Sequence, residues 1–358
     1  MERNEVEVIG IEDKEKEKEE KEKEKEKEKE KEDEDEEDDE EILGEQLINS
    51  CLNRNVEKVI KLLQNPFLDI NWKNGNEETS FWIACEKGSL EIVKLLLNDK
   101  SLDVNQVNCH DDSDIEDEYN GDDDDDDDDV NGRTPFWIAC ENGHIEIVKL
   151  LLNDQRVNVN YGYGLMGGFQ GRDRKDFLEY KTPFYVACEN GYIEIVKLLL
   201  SDERVDVNKG NEYHGTPLYI ACALGHIEIV KILLNDERID INKTDNNGWI
   251  PSYHYGDEQN WSFWIACRKR HLGIVKLFLK YERIDINQPF YYACKKGHIE
   301  IVKLLLNDER IDINKTVEGQ TPFWIACHQG QIETVKLLLN DERIDINKAN
   351  KQHQTPIN

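Results

Sequence analysis

The stretch GYGLMGG at residues 162–168 sets Gly162, Gly164 and Gly167 at the spacing G-x-G-x-x-G. Glycines so spaced let a backbone approach the pyrophosphate of a dinucleotide, provided that a strand precedes the loop and a helix opens behind it. A second spacing, Asp127, Asp129, Asn131 and Gly132, has the start of a calcium loop, whose twelfth position needs a bidentate glutamate. That position is Ile138. Four histidines, His144, His226, His271 and His298, recur in one register, and the nine cysteines show no C-x-x-C pair and no metal-ligand spacing. No nucleophile, base and orienting group assemble from these residues. Neither metal nor cofactor is expected, and the chain reads as a non-enzyme.

What must position these residues is one unit written eight times. TPFWIACENGHIEIVKLLLNDQRVNVN (134–160) recurs at 182–208, 216–242 and 321–347, more loosely at 79–105, 261–287 and 288–314, and in degenerate form at 45–71. Every copy is 27 residues long, and only the connectors vary. The unit predicts two helices and a turn. Thr134 caps the first helix, because its hydroxyl accepts orphan backbone N–H groups, and Pro135 stands where its missing N–H costs nothing. Gly143 breaks the chain, and the second helix runs from about Ile145 to Leu152, with Glu146 and Lys149 paired on its solvent side.

The apolar residues Ile145, Ile147, Val148, Leu150, Leu151 and Leu152 cover more than one stripe, so the pair needs neighbours on both sides. That is the logic of a stacked array, held by nearest-neighbour interfaces. The small pair Ala139 and Cys140, repeated down the chain, suits close helix approach and explains eight cysteines as buried apolar residues. Cys109, in a connector, is the exception. The histidines, in register after the turn, read as loop hydrogen-bonding groups.

T-P-F-W-I-A-C-x-x-G-H-I-E-I-V-K-L-L-L followed by D-I-N resembles the ankyrin repeat over about residues 45–347. The resemblance implies an all-α solenoid of stacked helix-turn-helix units with β-hairpin or loop connectors. It also implies a protein partner held by hairpin tips and first-helix ends. Two departures stand out. The family's histidine in T-P-L-H is replaced by Trp82, Trp137, Tyr185, Tyr219, Trp264, Tyr291 and Trp324, so its inter-turn hydrogen bonds must be remade by indole or phenol donors, or lost. The second helix ends in N-D-E-R or a near relative in place of a glycine turn.

Against a repeat of 33 residues, about six remain for each connector. Three connectors are expanded (106–133, 161–181 and 243–260), and one is absent, because Asn287 runs directly into Gln288. The hairpin between those two units is therefore expected to be missing. The glycine spacing of 162–168 falls in an expanded connector after Asn160, the last residue of a helical unit, with no parallel strand to carry it. It reads as a coincidence of composition.

The formal charge of -32 is unevenly placed: residues 1–41 carry a net -14 and 106–133 a net -13, leaving -5 for the rest. The first is a charged low-complexity tail with too few apolar residues to offset ordering entropy, the second a solvated acidic loop. No basic footprint for nucleic acid appears, no apolar run approaches a membrane span, and no signal peptide opens the chain. An intracellular, cytoplasmic setting is expected, with the nucleus open, and residues 348–358 begin a further unit.

The partner-binding candidates are connector aromatics and arginines together with first-helix ends. In 243–260 these are Trp249, Tyr253 and Tyr255; in 161–181, Tyr161, Tyr163, Phe169, Arg172 and Arg174. The first-helix ends change sign from Glu86, Glu141 and Glu189 to Arg268, Lys269, Arg270, Lys295 and Lys296. The primary expectation is a scaffold that binds a partner protein. The alternative is an acidic charge-shielding protein that sequesters basic proteins through its tail and octa-Asp loop.

Overall fold

The computed structural model describes residues 41–108, 132–163, 181–210, 215–241, 261–282, 284–348, 350–351 and 355. They fall in two compact units that divide between Asp123 and Asp124, inside the acidic connector. The first contains α1 (41–52), α2 (Val56–Leu62), α3 (Ser80–Glu86) and α4 (Leu90–Leu97), with α4 packed on both α2 and α3.

The second unit contains six helix pairs among the described residues: α5 (Pro135–Glu141) with α6 (Ile145–Leu152), α7 (Pro183–Glu189) with α8 (Ile193–Leu200), and α9 (Pro217–Leu224) with α10 (Ile227–Leu234). There follow α11 (Trp261–Lys269) with α12 (Leu272–Phe278), α13 (Asn287–Lys296) with α14 (Ile299–Leu306), and α15 (Pro322–His328) with α16 (Ile332–Leu339). First helices stack on first helices and second on second, giving two layers. The all-α expectation holds.

Local chemistry explains the bounds. Thr79, Thr134, Thr182, Thr216 and Thr321 are extended N-caps whose hydroxyls accept from the third helical N–H, and proline opens four of these helices. The alanine–cysteine pairs are buried where first helices meet, apart from Cys327, which is half-buried. Desolvation pushes the Cys51 thiol up to about 12 and holds Cys85, Cys140, Cys188, Cys222, Cys267 and Cys294 higher still, so these are inert packing groups. Cys109 lies outside the described residues. In α6 the buried set is Ile147, Val148 and Leu151, while Ile145 stays 41% exposed, so the buried stripe is narrower than its apolar residues suggest. On the solvent side of the second helices Lys197–Glu194 and Lys231–Glu228 pair at 2.7 and 2.6 Å.

Repeat-to-repeat cohesion comes from three recurrent devices. After three of the turns a side chain reaches back to the end of the preceding first helix: His226 Nε2 lies 3.0 Å from the Glu189 carbonyl, His271 Nε2 lies 3.2 Å from that of Ala223, and Gln331 Nε2 donates to the Lys295 carbonyl. For His226 and His271 this is the hydrogen-bonding role expected of the histidine register. Closing asparagines form a second ladder, in which Asn160 and Asn208 donate to Arg204 and Arg238 carbonyls and accept from Asp206 and Asp240 N–H groups.

The third device is the N-D-E-R corner. Asp202 accepts from both the backbone and the guanidinium of Arg204, whose Nη2 then donates to the Leu152 carbonyl at 2.7 Å in the preceding repeat. Arg238, Arg310 and Arg343 repeat this staple to Leu200, Leu279 and Leu306. In the 261–287 repeat, where Tyr281 replaces the aspartate, its hydroxyl donates to the Leu234 carbonyl at 2.9 Å.

The missing connector is as the spacing predicts. Antiparallel bridges mark other connectors (Lys73 with Thr79, Tyr163 with Lys181, Val317 with Gln320), but α13 begins at Asn287 itself, capped by Ile286 without a side-chain bond.

Candidate functional site

In the second unit the stacked first helices place their last residues in one row. The backbone fixes that row: a residue in the left-handed region turns each chain after the helix, at Gly143, Gly191, Gly225, Gly297 and Gly330. In the 261–287 repeat the same slot is occupied by Arg270, with φ +66°. A side chain there costs roughly 1–2 kcal/mol relative to glycine's freedom.

At the start of the row Arg133, Trp137 and Tyr163 form a cluster. The Arg133 guanidinium lies 4.7 Å from the Tyr163 ring centroid and 5.3 Å from that of Trp137, and the two rings meet edge to face at 5.5 Å. Trp137 Nε1 donates to the Lys181 carbonyl at 2.7 Å. The connector thus supplies an acceptor for the indole that replaces the family's histidine, and Tyr291 does the same through Gln320 at 2.9 Å. The two acidic candidates have nearby cations. Lys181 Nζ reaches both Glu189 carboxylate oxygens at 3.0 Å, and Arg133 lies 3.8 Å from Glu141. Burial holds the Glu141 carboxyl above its ordinary value, partly offset by Arg133 and Lys181.

Further along, the sign changes. Arg268 and Lys269 end α11 exposed, and Lys295 and Lys296 end α13, the first half-buried and the second exposed. Arg268 lies 5.1 Å over the Trp264 ring, Trp264 meets Tyr292 edge to face at 5.9 Å, and Lys295 lies 5.4 Å over Tyr292. The one carboxylate seen in this cluster among the described residues is Glu318, which accepts from Tyr292 and lies 3.7 Å from Lys295.

Of the connector candidates, Tyr161 and Tyr163 are described and half-buried. Phe169, Arg172, Arg174, Trp249, Tyr253 and Tyr255 lie outside the described residues, as do Gly164, Gly167 and the acidic stretch containing Asp127 and Asp129. Among the described residues no group of three or more His, Cys, Asp or Glu has a metal-holding arrangement, and no helix is long and apolar enough to cross a membrane.

The sequence matches the family described as Ankyrin repeats (3 copies) over residues 47–161, 165–245 and 262–357. The chain belongs to the ankyrin repeat family. A human protein, SMC5-SMC6 complex localization factor protein 1, is 33% identical over 106 residues, which cover 30% of this chain and 8% of that protein.

Two features of this ankyrin array escaped the sequence reading. The staple arginines were visible only as an unusual helix ending, although their fixed place two residues after an aspartate was a signal. Arg270 stood in view as a charge. Aligning R-K-R-H with E-N-G-H would have shown that it occupies a glycine slot.

Proposed function

We propose that this ankyrin array binds a partner protein along the row of first-helix ends, without catalysis, inside the cell. One observation supports this best: the side chains that differ between repeats are stacked in that row, whereas the core and the staples repeat. Glu141, Glu189, Ala223, Arg268 and Lys295 occupy comparable positions on successive helices, so a partner meets a fixed order of charged and small apolar groups. A preorganised surface of this kind loses little entropy on binding. A targeting role accords with the name of the human relative, a localization factor.

The test is quantitative affinity for a partner captured with the full chain. Paired reversals Glu141→Lys with Glu189→Lys, or Lys295→Glu with Lys296→Glu, are expected to weaken binding about tenfold. Reversing Lys197 and Lys231 on the second-helix layer leaves it unchanged. Equal effects on both layers would remove the reading.

The charges of 1–41 and 106–133 support a second reading, capture of basic proteins. There, binding of a lysine-rich peptide collapses between low and moderate salt and disappears when 1–41 is deleted. Binding that survives either change counts against it.

A further inference from the structure

The junction where a connector is missing has three properties that occur together nowhere else among the described residues. First, its aromatic residue is half-exposed. Trp82, Trp137, Tyr185, Tyr291 and Trp324 are buried, whereas Trp264, like Tyr219, is half-buried. At two other junctions the connector after the repeat supplies atoms against the aromatic residue, Lys181 and Tyr163 for Trp137 and Gln320 for Tyr291. After the 261–287 repeat the chain enters α13 at once.

Second, cations gather around that residue. Arg268, Lys269, Arg270, Lys295 and Lys296 face one carboxylate among the described residues, Glu318, and no ion pair is seen there for Arg268, Lys269, Arg270 or Lys296. Arg270 and Lys296 both act on His298, whose pKa is held below its ordinary value by burial first and then by these two charges. The packing of α11 on α13 sets the cations of the two repeats on neighbouring helix ends.

Third, one of them is held at a backbone cost. Arg270 takes the left-handed conformation that glycine serves at this slot in every other repeat of the second unit. The other arginine in such a slot, Arg54 in the first unit, donates to the Lys87 carbonyl and so has a structural bond. No such bond is seen for Arg270, which is exposed. Strain carried by an exposed, charged side chain is a mark of a functional position.

We propose that the ends of α11 and α13 bind a short acidic segment of the partner, its carboxylates on Arg268, Arg270 and Lys296 and an apolar side chain against Trp264 and Leu224. This rests on the protein-binding reading and names the chemistry of the bound segment. Leu224, 49% exposed at the end of α9, supplies apolar surface beside the cations. Their extent also sets the length of the occupant. The neighbouring first helices end in Ala223 and Leu224 on one side and His328 and Gln329 on the other. The cations thus span two repeats, roughly 20 Å at ordinary helix spacing, or about six extended residues. A nucleic acid strand needs a longer basic track. At physiological ionic strength the distant acidic segments are screened beyond about 8 Å, leaving the local cations to dominate.

The experiment measures fluorescence anisotropy of a labelled twelve-residue peptide of Asp and Glu with one central leucine, on the full chain at physiological salt. Its Asn/Gln counterpart and a single-stranded oligo-dT serve as comparators. The acidic peptide is expected to bind and the neutral one not. Arg268→Glu with Lys296→Glu weakens binding about tenfold or more.

Arg270→Gly weakens binding about threefold while raising the melting temperature by about 2 °C. A purely structural arginine would not separate the two readouts in that way. Absence of peptide binding, tighter binding of oligo-dT, or binding that ignores both variants overturns the inference. If the reversal of Glu141 and Glu189 still weakens a captured partner, only the acidic-segment inference falls and the protein-binding reading stands.

Discussion

Replacing Gly225 by valine is expected to destabilise the second unit by about 3 kcal/mol, lowering its melting temperature by roughly 8 °C. Two costs combine. Gly225 ends α9 at φ +82°, a conformation that a β-branched residue tolerates worst. A Cβ added there would also stand 2.7 Å from His271 Cε1 and 2.9 Å from Nδ1. That ring cannot simply move aside, because its Nε2 is held by the Ala223 carbonyl one repeat back.

The damage therefore falls on the interface between successive repeats, and in a stacked array such an interface couples everything on either side of it. The melt should broaden as well as shift. Gly75, with open space around its Cβ position and no positive φ, is the control. Gly75→Ala should leave the melt unchanged or raise it slightly. A valine at 225 that melts like the parent would show that neither the dihedral nor the ring contact limits stability.

That example also shows what the sequence carries plainly. A glycine in fixed register after an apolar helix predicts a left-handed turn, so the start at Ile145 follows from it, and the start at Pro135 follows from the threonine cap. The absent hairpin at Asn287 followed from counting alone. Long-range pairings were less legible. That Trp137 would find its acceptor in Lys181, 44 residues away, depends on the connector returning to the start of the next helix. Periodicity within one repeat does not encode that return.

The half-exposure of Trp264 was hidden for a related reason, since a residue's exposure follows from its neighbours in the fold. For the acidic candidates the types were legible but the partners were not. Lys181 lies eight residues before Glu189, a separation without meaning until a connector and a helix turn bring them together.

The staples give the other large effect, and its sign follows from proton linkage. Asp154, Asp202, Asp236, Asp308 and Asp341 are each held below the ordinary carboxylate range, chiefly by side-chain hydrogen bonds from Arg156, Arg204, Arg238, Arg310 and Arg343. A carboxyl whose folded pKa lies below its unfolded value contributes stability that is complete above the unfolded value, near 3.9, and is lost as pH falls through the folded one.

Glu141 works oppositely, since burial raises it and acid relieves that cost, but it is one group against five. The urea midpoint should decline gently below about pH 6.5, where the unfolded chain protonates His298 more readily than the folded one, and fall steeply below about pH 4. Arg204→Ala should cost about 1.5 kcal/mol at neutral pH after allowance for solvent screening. It leaves Asp202 without its guanidinium and the Leu152 carbonyl without this donor, while the Asp154 carbonyl keeps the Val157 N–H. The same variant should flatten part of the acid limb, because one of the five linked protons no longer discriminates folded from unfolded chain. An acid limb identical in parent and variant would mean that the guanidinium contributes packing alone and that the carboxylates of the other corners carry the whole pH dependence.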